Sequence, residues 1–242
     1  MVVAVATIVD IDIYSDVACP WCYLGKRRLD QALERFDGDV RVRWRPYQLD
    51  PSAPADPTPL QPALAEKFGG LDRVLAMNDQ LAELGRAAGL DYRFADAQHV
   101  NTFPAHRLAW YAEREGRGIE VTDGLFRAYF TEGRNVADPA VLLAVGVAAG
   151  LDEQALAAFL DSDEGTAEVT AELAEARELG ITGVPTFVLA GKYAVSGAQE
   201  PDTLLEVLNE VQRRESASTP LTTLGDNADT KAGTCTDDSC TI

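Results

Sequence analysis

The chain has 242 residues, 46% of them hydrophobic, with 39 acidic against 21 basic side chains for a formal charge of −18. That length sustains a sizeable core in one large domain or two small ones. The charge repels phosphate backbones and anionic lipid surfaces, so neither nucleic acid nor a membrane is an expected partner.

The chain opens on an apolar run interrupted by Asp10 and Asp12, and its first basic residue is Lys26, which is not the pattern of a secretory leader. Val5 to Tyr14 reads as a strand through its β-branched residues, and Pro20 to Phe36 as a helix with Tyr23, Leu24, Leu29, Leu33 and Phe36 at helical spacing. "VRVRWRPYQL", Val40 to Leu49, alternates apolar and basic residues and reads as a second strand. Five prolines between Asp50 and Pro62 predict a connector without helix or ladder, and a domain boundary. Helices follow for about a hundred residues, with one stripe at Leu71, Val74, Leu75, Leu81 and Leu84. A second stripe holds Leu108, Tyr111 and Ala112, and a third Leu125, Phe126, Tyr129 and Phe130. Asp138 before Pro139 predicts a helix start. Val141 to Leu151, the longest apolar stretch, is broken by Gly146 and too short to span a bilayer. Leu151 to Leu160 and Glu164 to Leu179 complete the helices, and Gly180 stops them. "GVPTFVLAGKYAVSG", Gly183 to Gly197, predicts a hairpin, and Pro201 to Arg213 a last helix. Glu215 to Ile242 has the composition of a mobile tail.

This order implies an α/β fold whose sheet is completed by both ends of the chain. Residues 1–52 and 180–214 form one discontinuous domain, 53–179 an inserted all-helical domain, and 215–242 the tail. A cytoplasmic location is expected. There the thiol pools keep structural disulfides open, and a cysteine pair is catalytic or metal-binding more often than a staple.

Two of the four cysteines stand in "ACPWC", Cys19 and Cys22, with Pro20 and Trp21 between them. Cysteine attacks as a thiolate, which a helix N-terminus stabilises, and Cys19 stands just ahead of Pro20 at a predicted helix start. Cys22, about one turn further, is within reach to resolve a mixed disulfide formed at Cys19. A zinc site needs four ligands, and the other two cysteines, Cys235 and Cys240, lie in the tail; no metal is expected. Those two are read instead as a second redox pair exchanging with the first, because about twenty flexible residues span roughly 25 Å. "GVPT" adds Val184 and Pro185, a proline opening the strand that returns beside the first one. Trp21 supplies a bulky apolar group beside the thiols. His106, in "AHRL", reads as a helix residue that caps or packs more readily than as a catalytic group.

"SDVACPWCYLGKRRL", "NTFPAHRLAWYA", "LFRAYFTEGRNVADPAVL" and "ARELGITGVPTFVLAGKYAVSGAQ" together resemble the FrnE-like branch of the DsbA family, over about residues 5 to 213. The resemblance implies a thioredoxin-like fold with a helical insertion and thiol–disulfide oxidoreductase or isomerase activity. It implies Cys19 as attacking thiolate, Cys22 as resolving thiol, a cis bond between Val184 and Pro185, and a substrate strand held along Val184. It also implies a buried acid on the first strand, for which Asp12 is the candidate with Asp10 competing, and a helix start at Asn101, Thr102 and His106 overlooking the cysteines. Protein or peptide cysteines are the implied substrates, with no cofactor beyond the cysteine pair, an unidentified redox partner, and glutathione as an available electron partner. The histidine found between the cysteines of DsbA is absent, which leaves the direction of electron flow open. Two alternatives stand beside this reading. One is a glutathione-dependent isomerase or kappa-class transferase, which shares the insertion architecture but typically has serine at the nucleophile position. The other is a holdase chaperone using the apolar surface near Trp21, Tyr23 and the helical domain.

Overall fold

The structure, a computed structural model, describes residues 8–217. Cys235, Cys240 and the predicted tail beyond 217 lie outside the described residues, as does the start of the first predicted strand. Strand β1 (Val9–Ser15) buries Val9, Ile11 and Ile13 on one face and carries Asp10 and Asp12 on the other. A turn at Asp16 to Cys19, closed by the Cys19 N–H on the Asp16 carbonyl at 3.0 Å, leads into α1 (Pro20–Leu33). Strand β2 (Val40–Pro46) returns parallel to β1, with Ile13 opposite Trp44. A parallel pair needs a crossover, and α1 supplies it.

The chain then builds β3 (Thr58–Pro59), α2 (Leu60–Phe68), α3 (Leu71–Ala87), β4 (Gln98–His99), α4 (Phe103–Arg114) and α5 (Gly118–Phe130). After these come α6 (Pro139–Ala148), α7 (Glu153–Leu160), α8 (Thr166–Glu178), β5 (Thr186–Leu189), β6 (Tyr193–Ser196) and α9 (Pro201–Ala217). Sheet order is β2-β1-β5-β6, with β5 antiparallel to both of its neighbours. The sheet thus draws on residues 9–46 and 186–196, with α2 to α8 between them in sequence: a thioredoxin-like α/β plan carrying inserted helices. On one side α1 packs with α9, burying Leu24, Leu29, Leu204 and Leu208; α4, α5 and α8 pack against β2.

Two expectations need correction. The proline-rich connector does form ladder and helix: Thr58 and Pro59 pair with His99 and Gln98, and α2 begins at Leu60. Proline is tolerated there because β3 is a two-residue edge and Pro62 falls in the first helical turn, where no backbone N–H is needed. The stripe along α3 is buried at Val74 and Leu81 but exposed at Leu71 and Leu75. The reason is that α3 packs mainly on α2, with α1 touching it lightly, so the tip of this hairpin has no cover. The hairpin turns on Gly69 and Gly70, at φ 82° and 124°, values that side chains with a Cβ rarely adopt. No helix of the described residues is long and apolar enough to cross a membrane.

Candidate functional site

Cys19 stands at the N-cap of α1 with extended backbone (φ −91°, ψ 109°), and Pro20 opens the helix behind it. Its carbonyl accepts the N–H groups of Cys22 and Tyr23 at 3.0 and 3.3 Å. The local sequence dictates this: proline has the helical φ and lacks only an N–H that the first turn does not use. The Cys19 thiol donates to the Val184 carbonyl at 3.6 Å, and the Val184–Pro185 bond is cis. The "ACPWC" and "GVPT" segments, 165 positions apart, therefore meet at one sulfur. Helix α1 can lie this close to Pro185 because residue 25 is glycine; a Cβ there would stand 2.9 Å from Pro185 Cγ.

Cys22 is 0% exposed and interacts with the Cys19 sulfur. Burial pushes its thiol well above the ordinary range, and the neighbouring Cys19 pushes the same way, while the Ser15 side chain and the Asp16 backbone N–H act in opposition. The two thiols are unbonded. Cys19 opens to a cleft and Cys22 lies behind it, so only one of the two is offered to an incoming molecule.

The structure does not bring Asp12 to the cysteines. Strand alternation turns it away from the face that buries Ile11 and Ile13, and its carboxylate lies between Arg43 and Arg45 at 3.0 Å from each. Asp10 shares that face and lies 3.4 Å from Arg41. The buried acid near the pair is Asp16, 1% exposed, three residues before Cys19. Its carboxylate accepts the Leu49 N–H at 2.8 Å and lies 3.3 Å from His106 Nε2, and His106 is itself 5% exposed. Sequence reasoning missed Asp16. The available signal was a charged residue in the small and apolar run between Tyr14 and Cys19. Asn101 does not reach the thiols either. It clasps the connector, donating to the Pro51 and Ala53 carbonyls and accepting from Phe103 N–H at 2.9 Å and Gln48 Nε2 at 3.0 Å.

In front of Cys19 lies a cleft of about 1130 Å3, floored by the helical insertion. Pro20, Trp21 and Val184 stand at its sulfur end, Leu49 and Pro54 along the connector, and Phe68, Met77 and Leu81 on the α2–α3 hairpin. Trp21 is 43% exposed, at the mouth. Behind, an aromatic cluster ties α1 to the insertion: Tyr23 stacks on Phe126 at 5.1 Å and meets Tyr92 edge-on at 5.7 Å. The Tyr92 hydroxyl donates to the Pro20 carbonyl at 2.6 Å, and burial raises its own pKa strongly. Among the described residues no cluster of three or more His, Cys, Asp or Glu side chains is placed to hold a metal. The chemistry available is that of two adjacent thiols, one at a helix N-terminus and one enclosed.

Comparison with known proteins gives a consistent picture. The model of the DSBA-like thioredoxin domain family matches residues 10–209. A probable DsbA oxidoreductase from Streptomyces coelicolor is similar at 38% identity with a TM-score of 0.80, over 89% of this chain and 94% of that one. The uncharacterized protein YwbO of Bacillus subtilis is 26% identical over 86% of this chain and 99% of its own length. A cytosolic disulfide reductase, DsbM from Pseudomonas aeruginosa, shares the fold with a TM-score of 0.62 at 23% identity, over 85% and 99% of the two chains.

Proposed function

We propose, on the premise that the chain belongs to the DSBA-like thioredoxin domain family and is a thiol–disulfide oxidoreductase, that it exchanges disulfides with polypeptides through Cys19. The Cys19 thiolate attacks a substrate disulfide; a Cys19–substrate S–S bond forms, and the other substrate sulfur leaves with the electron pair. Cys22 then gives up its proton and attacks the Cys19 sulfur. The Cys19–Cys22 disulfide closes and the second substrate sulfur leaves as thiolate. Run backwards, the same steps oxidise a dithiol.

The observation that carries this reading is the position of the Cys19 sulfur between a helix N-terminus and the Val184 carbonyl, at the end of the cleft, with Cys22 enclosed behind. An extended segment could pair with the backbone at Val184 while its side chains enter the cleft. The cleft exceeds the roughly 300–1,000 Å3 that small ligands occupy, which favours a polypeptide over glutathione as the principal substrate. Glutathione would then serve as a small-thiol electron partner. Enclosure of a second thiol beside the first is of use to redox exchange and of none to an isomerase that relies on one nucleophile.

The test is trapping. Cys22→Ser protein incubated with a reducible polypeptide is expected to accumulate a mixed disulfide at Cys19, seen as a mass increase that dithiothreitol removes. Insulin reduction surviving in the Cys19→Ser, Cys22→Ser double variant would sink the proposal. A second reading, the holding of unfolded chains, is favoured by the exposed Phe68, Leu71, Leu75 and Met77 on the hairpin beside Trp21. It expects suppression of aggregation to persist in that double variant.

A further inference from the structure

A second cavity, of about 300 Å3, is lined by a different set of residues from the cleft. Ser15 from the end of β1, Trp44 from β2, His106 from α4 and Thr122 from α5 stand in its wall. One water needs roughly 10–15 Å3 of such space, so this volume holds several. Trp44 Nε1 and Thr122 Oγ1 are buried without a hydrogen-bond partner among the described residues, and water is the partner a cavity can offer them. The cavity and the site meet at two points. The Ser15 side chain interacts with the Cys22 thiol and borders the cavity. His106 borders the cavity too, while Asp16, which holds its Nε2 at 3.3 Å, borders the cleft beside Cys19.

Cys22 has a proton to lose at the moment when its surroundings are driest. It is fully enclosed, and in the resolving step the substrate bonded to Cys19 fills the cleft in front of it. We propose that the second cavity is the proton exit of the resolving thiol, with Ser15 and His106 as positioning residues that connect Cys22 to its water and Asp16 orienting the imidazole. The inference rests on the thiol–disulfide reading above. In the step itself the Cys19–substrate S–S bond breaks, the Cys19–Cys22 bond forms, and the substrate sulfur leaves with the electron pair. The Cys22 proton passes by way of the Ser15 hydroxyl to cavity water and the His106 ring, and from there to solvent. In the reverse direction the same path returns it.

Charged groups surround His106 on several elements. Asp16 holds the ring from the turn after β1, and Arg43 and Arg45 face the cavity from β2. Its own helix adds Glu113 and Arg114, and α8 adds Glu172; the residues from α5 in the wall carry no charge. Burial keeps the carboxyls of Glu113 and Glu172 above the usual range, opposed by the Trp44 N–H and by Arg45 respectively.

The experiment follows resolution alone, in the full chain with Cys235 and Cys240 changed to Ser. Reduced protein is mixed rapidly with the disulfide of a short cysteine peptide, quenched in acid, and the decay of the Cys19–peptide species is timed by mass. In His106→Gln and Ser15→Ala the decay near pH 7 is expected to slow by on the order of a hundredfold, the low end of what a positioned proton-transfer group contributes. The variants should also gain a dependence on imidazole buffer concentration that the parent lacks. The equilibrium potential against glutathione should stay unchanged, since a route alters a rate and not an equilibrium. Should His106→Gln fail to fold, Ser15→Ala carries the test alone. Variant rates and pH profiles equal to the parent's overturn the proposal. So do slowed rates with a shifted potential and no response to buffer, which signify a structural role. A parent that forms no Cys19–peptide species overturns the oxidoreductase reading itself.

Discussion

At the scale of single residues, the site depends on close approach as much as on reactive groups. Gly25 lets α1 pass under Pro185, and Gly25→Ala would set a Cβ 2.9 Å from Pro185 Cγ. The expected cost is about 1–3 kcal/mol of stability, the usual range for overpacking, read from urea denaturation. Because the displaced group is Pro185, insulin reduction should slow as well. Cys19 and Cys22 were legible in the sequence through the Cys-x-x-Cys spacing and the proline that follows Cys19, whereas Pro185 drew its weight only from the strand it opens, which had to return beside the first one. Asp16 was not, nor was its pairing with His106, a residue the sequence singled out only as a helix position, since that contact spans 90 positions and has no local signature. Asp12 misled for the converse reason. It sits on the expected strand, but alternation places it on the face where β2 presents Arg43 and Arg45.

At the scale of elements, helix starts are fixed in two physically different ways. Asp138 caps α6 with its own carboxylate, which accepts the Ala140 N–H at 2.8 Å. Helix α1 has no side-chain cap; its first turn is held from outside by the Tyr92 hydroxyl on the Pro20 carbonyl. Asp138→Ala and Tyr92→Phe should each cost about 1 kcal/mol, by lost capping in one case and a lost hydrogen bond in the other. They should separate in activity: Tyr92→Phe alters the rate of exchange at Cys19, whereas Asp138→Ala leaves it unchanged, with both variants assayed in parallel. The Asp138 cap could be read from "ADPAVL", since cap and proline are neighbours. The Tyr92 tether could not, because it joins a loop to a helix 72 positions away. The same division explains α3, whose apolar spacing was legible while the absence of a covering element over its tip was not.

At the scale of the whole molecule, an enclosed thiol couples folding to pH. Cys22 holds its proton more tightly in the folded chain than in the unfolded one. The folded state therefore binds more protons once pH enters the ordinary thiol range, and stability falls as pH rises through and above it. Below that range the contribution is fully present. Urea midpoints of the reduced protein should drop more between about pH 8 and 10 for the parent than for Cys22→Ala. A parallel decline in the two would show that Cys22 does not contribute. The cleft in front of Cys19 has a consequence of another kind, because its largely apolar walls belong to a chain with a formal charge of −18. Charged groups are few on those walls, Asp16, Asp50, Glu66 and Lys67 among them, so attraction or repulsion at a distance falls mainly to the molecule's field. Raising ionic strength from roughly 0.01 to 0.3 M should then speed reaction with oxidised glutathione, a net anion, and slow reaction with a lysine-rich disulfide peptide. Initial rates with the two at matched pH would display those opposite slopes, and slopes of one sign would show that the field plays no part in choosing what arrives at Cys19.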